Sequence, residues 1–216
     1  VAFTANDYIL DAAELYGDTA YDRVSESTWI KYLNAAVRTL ILVRPDAGAV
    51  TEPVLLSAGI KQTLPTAALR LLDISRNLGT AGVTAGGIIT PCDRAHIDYS
   101  NLLWPGSTGD TAIENFSYDA NVPRIFYVTP PVSDTITVYV EMSTSQLPTA
   151  MTTTSSDDGI EDVFFEAIIQ FLLYRAFSAD DEAVEFTKAQ TAFQNFMSLL
   201  GVESQSSRAN SPEKKE

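Results

Sequence analysis

The chain has 216 residues, of which 45% are apolar, 19% charged and 10% aromatic, enough for one sizeable core or a domain carrying an insertion. That composition excludes a wholly disordered chain. Fourteen basic against 28 acidic side chains give a net charge of −14, which excludes a nucleic-acid grip built on clustered Lys and Arg.

Cys92 is the single cysteine, so an internal disulfide and a multi-cysteine zinc site are excluded, and cytosolic synthesis fits. Residues 1–10 lack a basic n-region and carry Asp7, so no signal peptide is expected there. The most apolar window, 163–174, is interrupted by Glu166 and Gln170 and ends at Arg175. It falls well short of the ~20 residues of a membrane span, and a soluble chain is expected.

In chain order, Thr4 with Asp7 three residues on predicts a helix start, and Tyr8, Ala12 and Leu15 share one face before Gly17-Asp18 ends it. A second helix is predicted from Ser27, with Trp29, Ile30, Leu33, Val37, Leu40 and Ile41 as its stripe, stopped by Arg44-Pro45. From about Ala49 the pattern turns to β. Residues 54–56 and 60–64 read as two short strands around a glycine turn, while 69–78 fits a strand or a short helix, strand preferred. Residues 79–87 hold four glycines and predict a loop. Asp93 predicts the cap of a short helix reaching 103, before Trp104-Pro105-Gly106. Strands are then predicted at 113–118, 124–129 and 135–142, punctuated by Asn121-Val122-Pro123 and Pro130-Pro131. The last of these alternates Ile136, Val138 and Val140 with polar neighbours.

A Thr/Ser-rich linker at 147–156 leads to a densely apolar helix holding Val163, Phe164, Ala167, Ile168, Phe171, Leu172 and Tyr174. Asp157, Asp158, Glu161 and Asp162 crowd its predicted N-terminus, where the helix dipole favours negative charge. A last helix is predicted from about Asp180 to Leu200, with Val184, Phe186, Ala189, Phe193, Phe196, Met197 and Leu200 as its stripe and Gly201 as its stop. The predicted fold is α+β. An N-terminal helix pair (1–48) and a long C-terminal helix pair (147–203) form a helical core, a mostly antiparallel β module (49–146) is inserted between them, and an extended tail (204–216) follows. A small barrel and a sandwich both fit the β module. The tail has no large apolar side chain and sums to +1, leaving −15 on the body.

No catalytic, cofactor or metal site is convincing. Cys92 and His96, with Asp93 and Asp98 nearby, have the spacing of a Cys-His dyad but no motif context, and a buried thiol beside a surface histidine is the simpler reading. The 157–162 acids lack a calcium-loop pattern, and Asp180-Asp181-Glu182 reads as another helix start. The 79–87 loop lacks GxGxxG spacing and a following Lys-Ser/Thr. Phe164, Phe171, Phe193 and Phe196 read as core or an inter-subunit seam.

Four blocks in order carry a resemblance. They are Trp29-Ile30-Lys31-Tyr32-Leu33-Asn34-Ala35-Ala36 running to Val43-Arg44-Pro45-Asp46-Ala47, then Gly59-Ile60-Lys61-Gln62-Thr63-Leu64-Pro65 with Leu69-Arg70-Leu71-Leu72-Asp73-Ile74-Ser75-Arg76-Asn77. Next come Val122-Pro123-Arg124-Ile125-Phe126-Tyr127-Val128-Thr129-Pro130-Pro131 and Ile169-Gln170-Phe171-Leu172-Leu173-Tyr174-Arg175-Ala176-Phe177-Ser178-Ala179-Asp180. Over residues 4–201 the chain resembles the head-to-tail adaptor (connector) family of tailed phages. One departure is Trp104-Pro105, where family members often place proline and glycine before the tryptophan.

The resemblance implies a structural virion protein of the neck, not an enzyme, made in the host cytoplasm. It implies a homo-oligomeric ring of about twelve copies under the portal protein, offering a platform to a tail nozzle or tube protein. DNA would pass through the channel without specific binding, helped by a charge of about −180 on the ring. The C-terminal tail is implied to reach the portal, with Ser204, Arg208, Lys214 and Lys215 as its candidate contacts. Another neck or tail component, such as a nozzle or stopper subunit, is the runner-up. A hydrolase of host surface polymers, using Asp93 and Asp98 in a cleft, is the alternative from a different class.

Overall fold

A computed structural model describes residues 3–100, 112–157, 159–179 and 183–210. The fold is α+β, and the chain divides into two compact units, Gly48–Leu147 and the pair of segments Val1–Ala47 and Pro148–Glu216. Each has its own buried core.

The second of these is helical and is built around α4 (Phe165–Ser178). Ala167, Ile168, Ile169, Phe171, Leu172, Leu173 and Ala176 are buried, more than one face of a helix can supply. α1 (Ala5–Tyr16), α2 (Glu26–Val43) and α5 (Ala183–Asn210) all pack on it. Aromatic pairs set the registers. Phe165 meets Tyr8 at 4.6 Å and Phe177 meets Tyr16 at 5.2 Å, so α1 and α4 run in the same direction, while Phe171 meets Phe196 of α5 at 5.2 Å.

Polar groups fix the connections. The Asp7 carboxylate accepts the Thr4 N–H at 2.8 Å and the Thr4 hydroxyl at 2.7 Å, closing the start of α1. The N–H groups of Ala5 and Asn6, orphans of a helix start, donate to the carbonyls of Ser156 and Thr154. The polar linker is therefore bonded to α1. Asn34 grips the same linker from α2: its Nδ2 donates to the Met151 carbonyl at 2.9 Å, and its Oδ1 accepts the Met151 N–H at 2.9 Å. After Gly17, in the left-handed region at φ 79°, the buried Asp18 carboxylate accepts the N–H groups of Asp22, Arg23 and Val24. That one side chain organises the α1–α2 loop.

The β unit is a sandwich of two sheets around one core. One sheet has the order β1-β7-β3, from β1 (Ala49–Leu55), β7 (Tyr139–Gln146) and β3 (Ala68–Asn77), all antiparallel. The other has the order β2-β6-β5-β4, from β2 (Gly59–Thr63), β6 (Ile125–Val132), β5 (Asn115–Tyr118) and β4 (Thr90–Pro91). β4 pairs parallel to β5. Leu71, Ile74, Val140 and Met142 of the first sheet and Phe116, Phe126 and Val128 of the second share the interior. α3 (Arg94–Ser100) packs on β5 and β6. Asn77 clasps Ile113, donating to its carbonyl at 2.8 Å and accepting its N–H at 2.9 Å.

Several local expectations are revised. β1 and β2 do not pair as a hairpin: the chain passes from one sheet to the other at Ser57–Gly59, where Gln62 accepts the Ser57 N–H and donates to the Ser57 and Gly59 carbonyls. A side chain replaces the hairpin bonds. β6 continues through Pro130 and Pro131, with a cis Thr129-Pro130 bond, and β7 starts at Tyr139, leaving Ile136 exposed before it. α2 begins one residue early, at Glu26, with Ser25 as its cap. Asp157 is bridged to Thr4 and accepts the Gly159 N–H, so it does not belong to the α4 N-terminus, which a 3₁₀ turn at Asp162–Phe164 precedes. α5 does not stop at Gly201 but continues to Asn210, so residues 204–210 of the tail have helical backbone, not an extended one. Asp158, 180–182, 211–216 and the Trp104-Pro105 segment lie outside the described residues.

Asp18 supplies a test. Burial alone would raise its carboxyl, but the N–H donors of Val24, Arg23 and Asp22, with the Arg23 charge, outweigh this and hold it below the ordinary value of 3.8. A carboxylate depressed in the folded state contributes stability above pH 3.8, and that contribution is lost as pH falls toward the lower folded value. Asp18→Ala leaves three N–H groups without their acceptor and is expected to cost about 2–4 kcal/mol at neutral pH. Urea melts followed by circular dichroism should show the difference from wild type shrinking below pH 3.8.

Candidate functional site

The candidate enzyme centre does not take shape. Burial and the neighbouring Asp93 charge push the Cys92 thiol up, opposite to what a thiolate nucleophile needs. The two carboxylates have local duties: Asp93 accepts the Ala95 N–H as a cap of α3, and Asp98 pairs with Arg94 at 3.1 Å. Among the described residues no group of three or more His, Cys, Asp or Glu could hold a metal, and no helix is long and apolar enough to cross a membrane.

A cleft between the start of α4 and α5 is lined by Val163, Phe164, Glu166, Ala167, Leu199 and Leu200 and has a cavity volume of about 40 Å³. That is far below the ~300–1,000 Å³ of small-molecule sites. Two of the lining residues, Phe164 and Leu200, are contacted by Arg44, a buried cation at the end of α2. The guanidinium donates twice to Asp46, at 3.0 and 2.6 Å, and once to the Leu200 carbonyl at 3.3 Å, and lies 5.6 Å from the centre of the Phe164 ring. The same hydrogen bonds lower the Asp46 carboxyl.

What the molecule offers instead is apolar surface on ordered elements. On α5, Ala189, Ala192, Phe196 and Leu200 face the core, while Phe186 (70% exposed), Phe193 and Met197 form a second stripe open to solvent. The predicted aromatic stripe therefore divides: Phe164, Phe171 and Phe196 are core, and Phe193 is partly outside, its ring 5.0 Å from Tyr174. In the β unit, Val83 and Ile88 project from the glycine loop at 80% and 74% exposure. That loop is pinned. Gly82, at φ 73°, sits where an added Cβ would come within 3.2 Å of the Tyr139 ring, and Asn77 donates to the Gly87 carbonyl. β1 lies at a sheet edge, where Pro53 lacks the N–H that strand addition would use.

Of the expected portal contacts, Ser204 and Arg208 fall on the helical backbone of α5, whereas Lys214 and Lys215 lie outside the described residues. Sequence reasoning missed Arg44, whose only mark was its place before Pro45. It left the α5 stripe undivided between core and inter-subunit seam, because Phe193 and Met197 have the same spacing as core positions. Arg44→Ala is expected to lower stability by about 1–3 kcal/mol through lost stacking and hydrogen bonds. Arg44→Lys should recover less than half, since an ammonium cannot make the forked contact. Urea denaturation of the two variants checks both outcomes.

The family model of the SU10 adaptor protein matches residues 3–215, both units together. No curated protein matches the sequence. The match agrees, at the level of the family, with the resemblance carried by the ordered blocks from Trp29 to Asp180. The chain thus belongs to the SU10 adaptor protein family.

Proposed function

We propose that this protein is a head-to-tail adaptor of a tailed phage, a structural subunit of the virion neck and not an enzyme. The observation that carries the reading is the family match over residues 3–215. In this reading about twelve copies form a ring beneath the portal, continue the DNA channel and present a platform to a nozzle or tail-tube protein. Apolar side chains such as Phe186, Val83 and Ile88, held on a helix and a pinned loop, suit a subunit that buries them on assembly. The net charge of −14 per chain suits a conduit along which DNA slides without adhering.

The portal contact is assigned to residues 204–216, with Ser204, Arg208, Lys214 and Lys215 as its polar groups. The helical backbone of α5 reaches Asn210 and would bring the first half of this segment to the portal as a helix. The remainder of the segment, with Lys214 and Lys215, would add charged contacts in the complex.

Native mass spectrometry of the chain, alone and mixed with portal rings of the same phage, tests the proposal. Portal rings should gain about twelve subunits of 23.5 kDa. A chain that ignores the portal would shift the reading to a nozzle or stopper component. Deleting residues 204–216 should leave the helical content of the remaining chain intact and weaken docking; unchanged docking would refute the role given to the tail.

A further inference from the structure

Two outward helix faces of the helical unit carry opposite charge. On α1, Leu10 and Leu15 are 50% and 62% exposed and flank the exposed pair Asp11 and Glu14. At 100° per residue the four side chains cover one side of the helix, carboxylates in the middle and leucines at the margins. α1 contains no Lys or Arg. On α2, Ser27, Lys31, Arg38 and Leu42 follow one another at intervals of four, seven and four, a straight line along the helix. All four are exposed, Leu42 at 78%. Among the five described α-helices, α2 alone has a positive net charge, in a chain whose total is −14.

None of these charged side chains is paired by another described residue. Asp11, Glu14, Lys31 and Arg38 have no side-chain hydrogen bond or ion pair among the described residues. Each face also has exposed leucine beside its charges, the apolar area that a contact needs.

We propose that the α1 outward face of one copy packs against the α2 outward face of the next. The inference rests on the adaptor-ring reading and names the surfaces that close the ring. A ring requires two different patches on one subunit, each complementary to the other and not to itself. These faces meet that condition. Two α1 faces would oppose carboxylates, two α2 faces would oppose cations, and only the mixed pairing neutralises both. Burial of Leu10, Leu15 and Leu42 supplies attraction, while the charges set direction. A salt titration would be a poor test, because screening also relieves the general repulsion between copies.

Charge exchange is a sharper one. One full-length variant carries Asp11→Lys and Glu14→Lys, a second carries Lys31→Glu and Arg38→Glu, and each is assayed by native mass with portal rings present. Neither alone should add a ring, since each now places like charges across the contact. An equimolar mixture should recover ring addition to near the wild-type level, because the reversed α1 of one fits the reversed α2 of the other. A chain carrying all four substitutions should also recover. Recovery in the mixture shows that both variants are folded. Ring addition by either variant alone at the wild-type level overturns the proposal. So does a mixture that stays inactive while circular dichroism reports both chains folded. If the wild-type chain itself adds no ring, the adaptor-ring reading fails, and this inference with it.

Discussion

The helical unit depends on the burial of α4. Ile168, Leu172 and Ala176 of this helix are fully enclosed and Phe171 and Leu173 nearly so, with Glu166 and Arg175 left exposed. Its apolar sides must be covered, and the elements that cover them come from both ends of the chain. α1 and α2 precede α4 by more than a hundred residues, so this core forms only through long-range closure. The intervening residues are accommodated as a unit with its own core.

Single polar side chains then fix what apolar burial leaves loose. Burial of α4 brings α1, α2 and α5 together but does not set the path of the chain between them. Asp18 fixes the α1–α2 loop, Asn34 ties α2 to Met151, and Arg44 joins the end of α2 to α5. The β unit uses the same device, with Gln62 shaping the passage between sheets and Asn77 holding Ile113. In each case one amide, carboxylate or guanidinium satisfies backbone groups that no ladder reaches. These clasps are the places where a modest substitution disturbs a whole connection.

The surface follows a different logic. Core positions on α5 and α1 are matched by second stripes, such as Phe186, Phe193 and Met197, that the subunit leaves open. A charge of −14 per chain sets up a long-range repulsion between copies that opposes casual association through such stripes. Local charge differences then decide which faces can meet. The contrast between the acidic α1 face and the basic α2 face is a difference of a few side chains, yet it has a direction that total charge lacks.

Much of this was legible in the residues themselves. Apolar spacing located α1, α2 and α4, the alternation around Val138 and Val140 located β7, and four blocks in fixed order pointed to the adaptor family. Those signals are local, or are carried by order along the chain, and need no partner to be read. The exchange of β1 and β2 between sheets, the continuation of β6 through two prolines and the length of α5 were not legible. β1 depends on β7 and the far end of β6 on β2, where Val132 lies opposite Gly59, partners far away in sequence, while much of α5 packs on α4 across the chain's own turn. The same holds for the candidate surfaces. Sequence periodicity identifies which residues are apolar on one side of a helix, but cannot tell a stripe that meets a neighbour within the subunit from one left open. Only the packing around α4 decides that Phe196 is core and Phe186 is surface, because burial is a property of the neighbours and not of the residue.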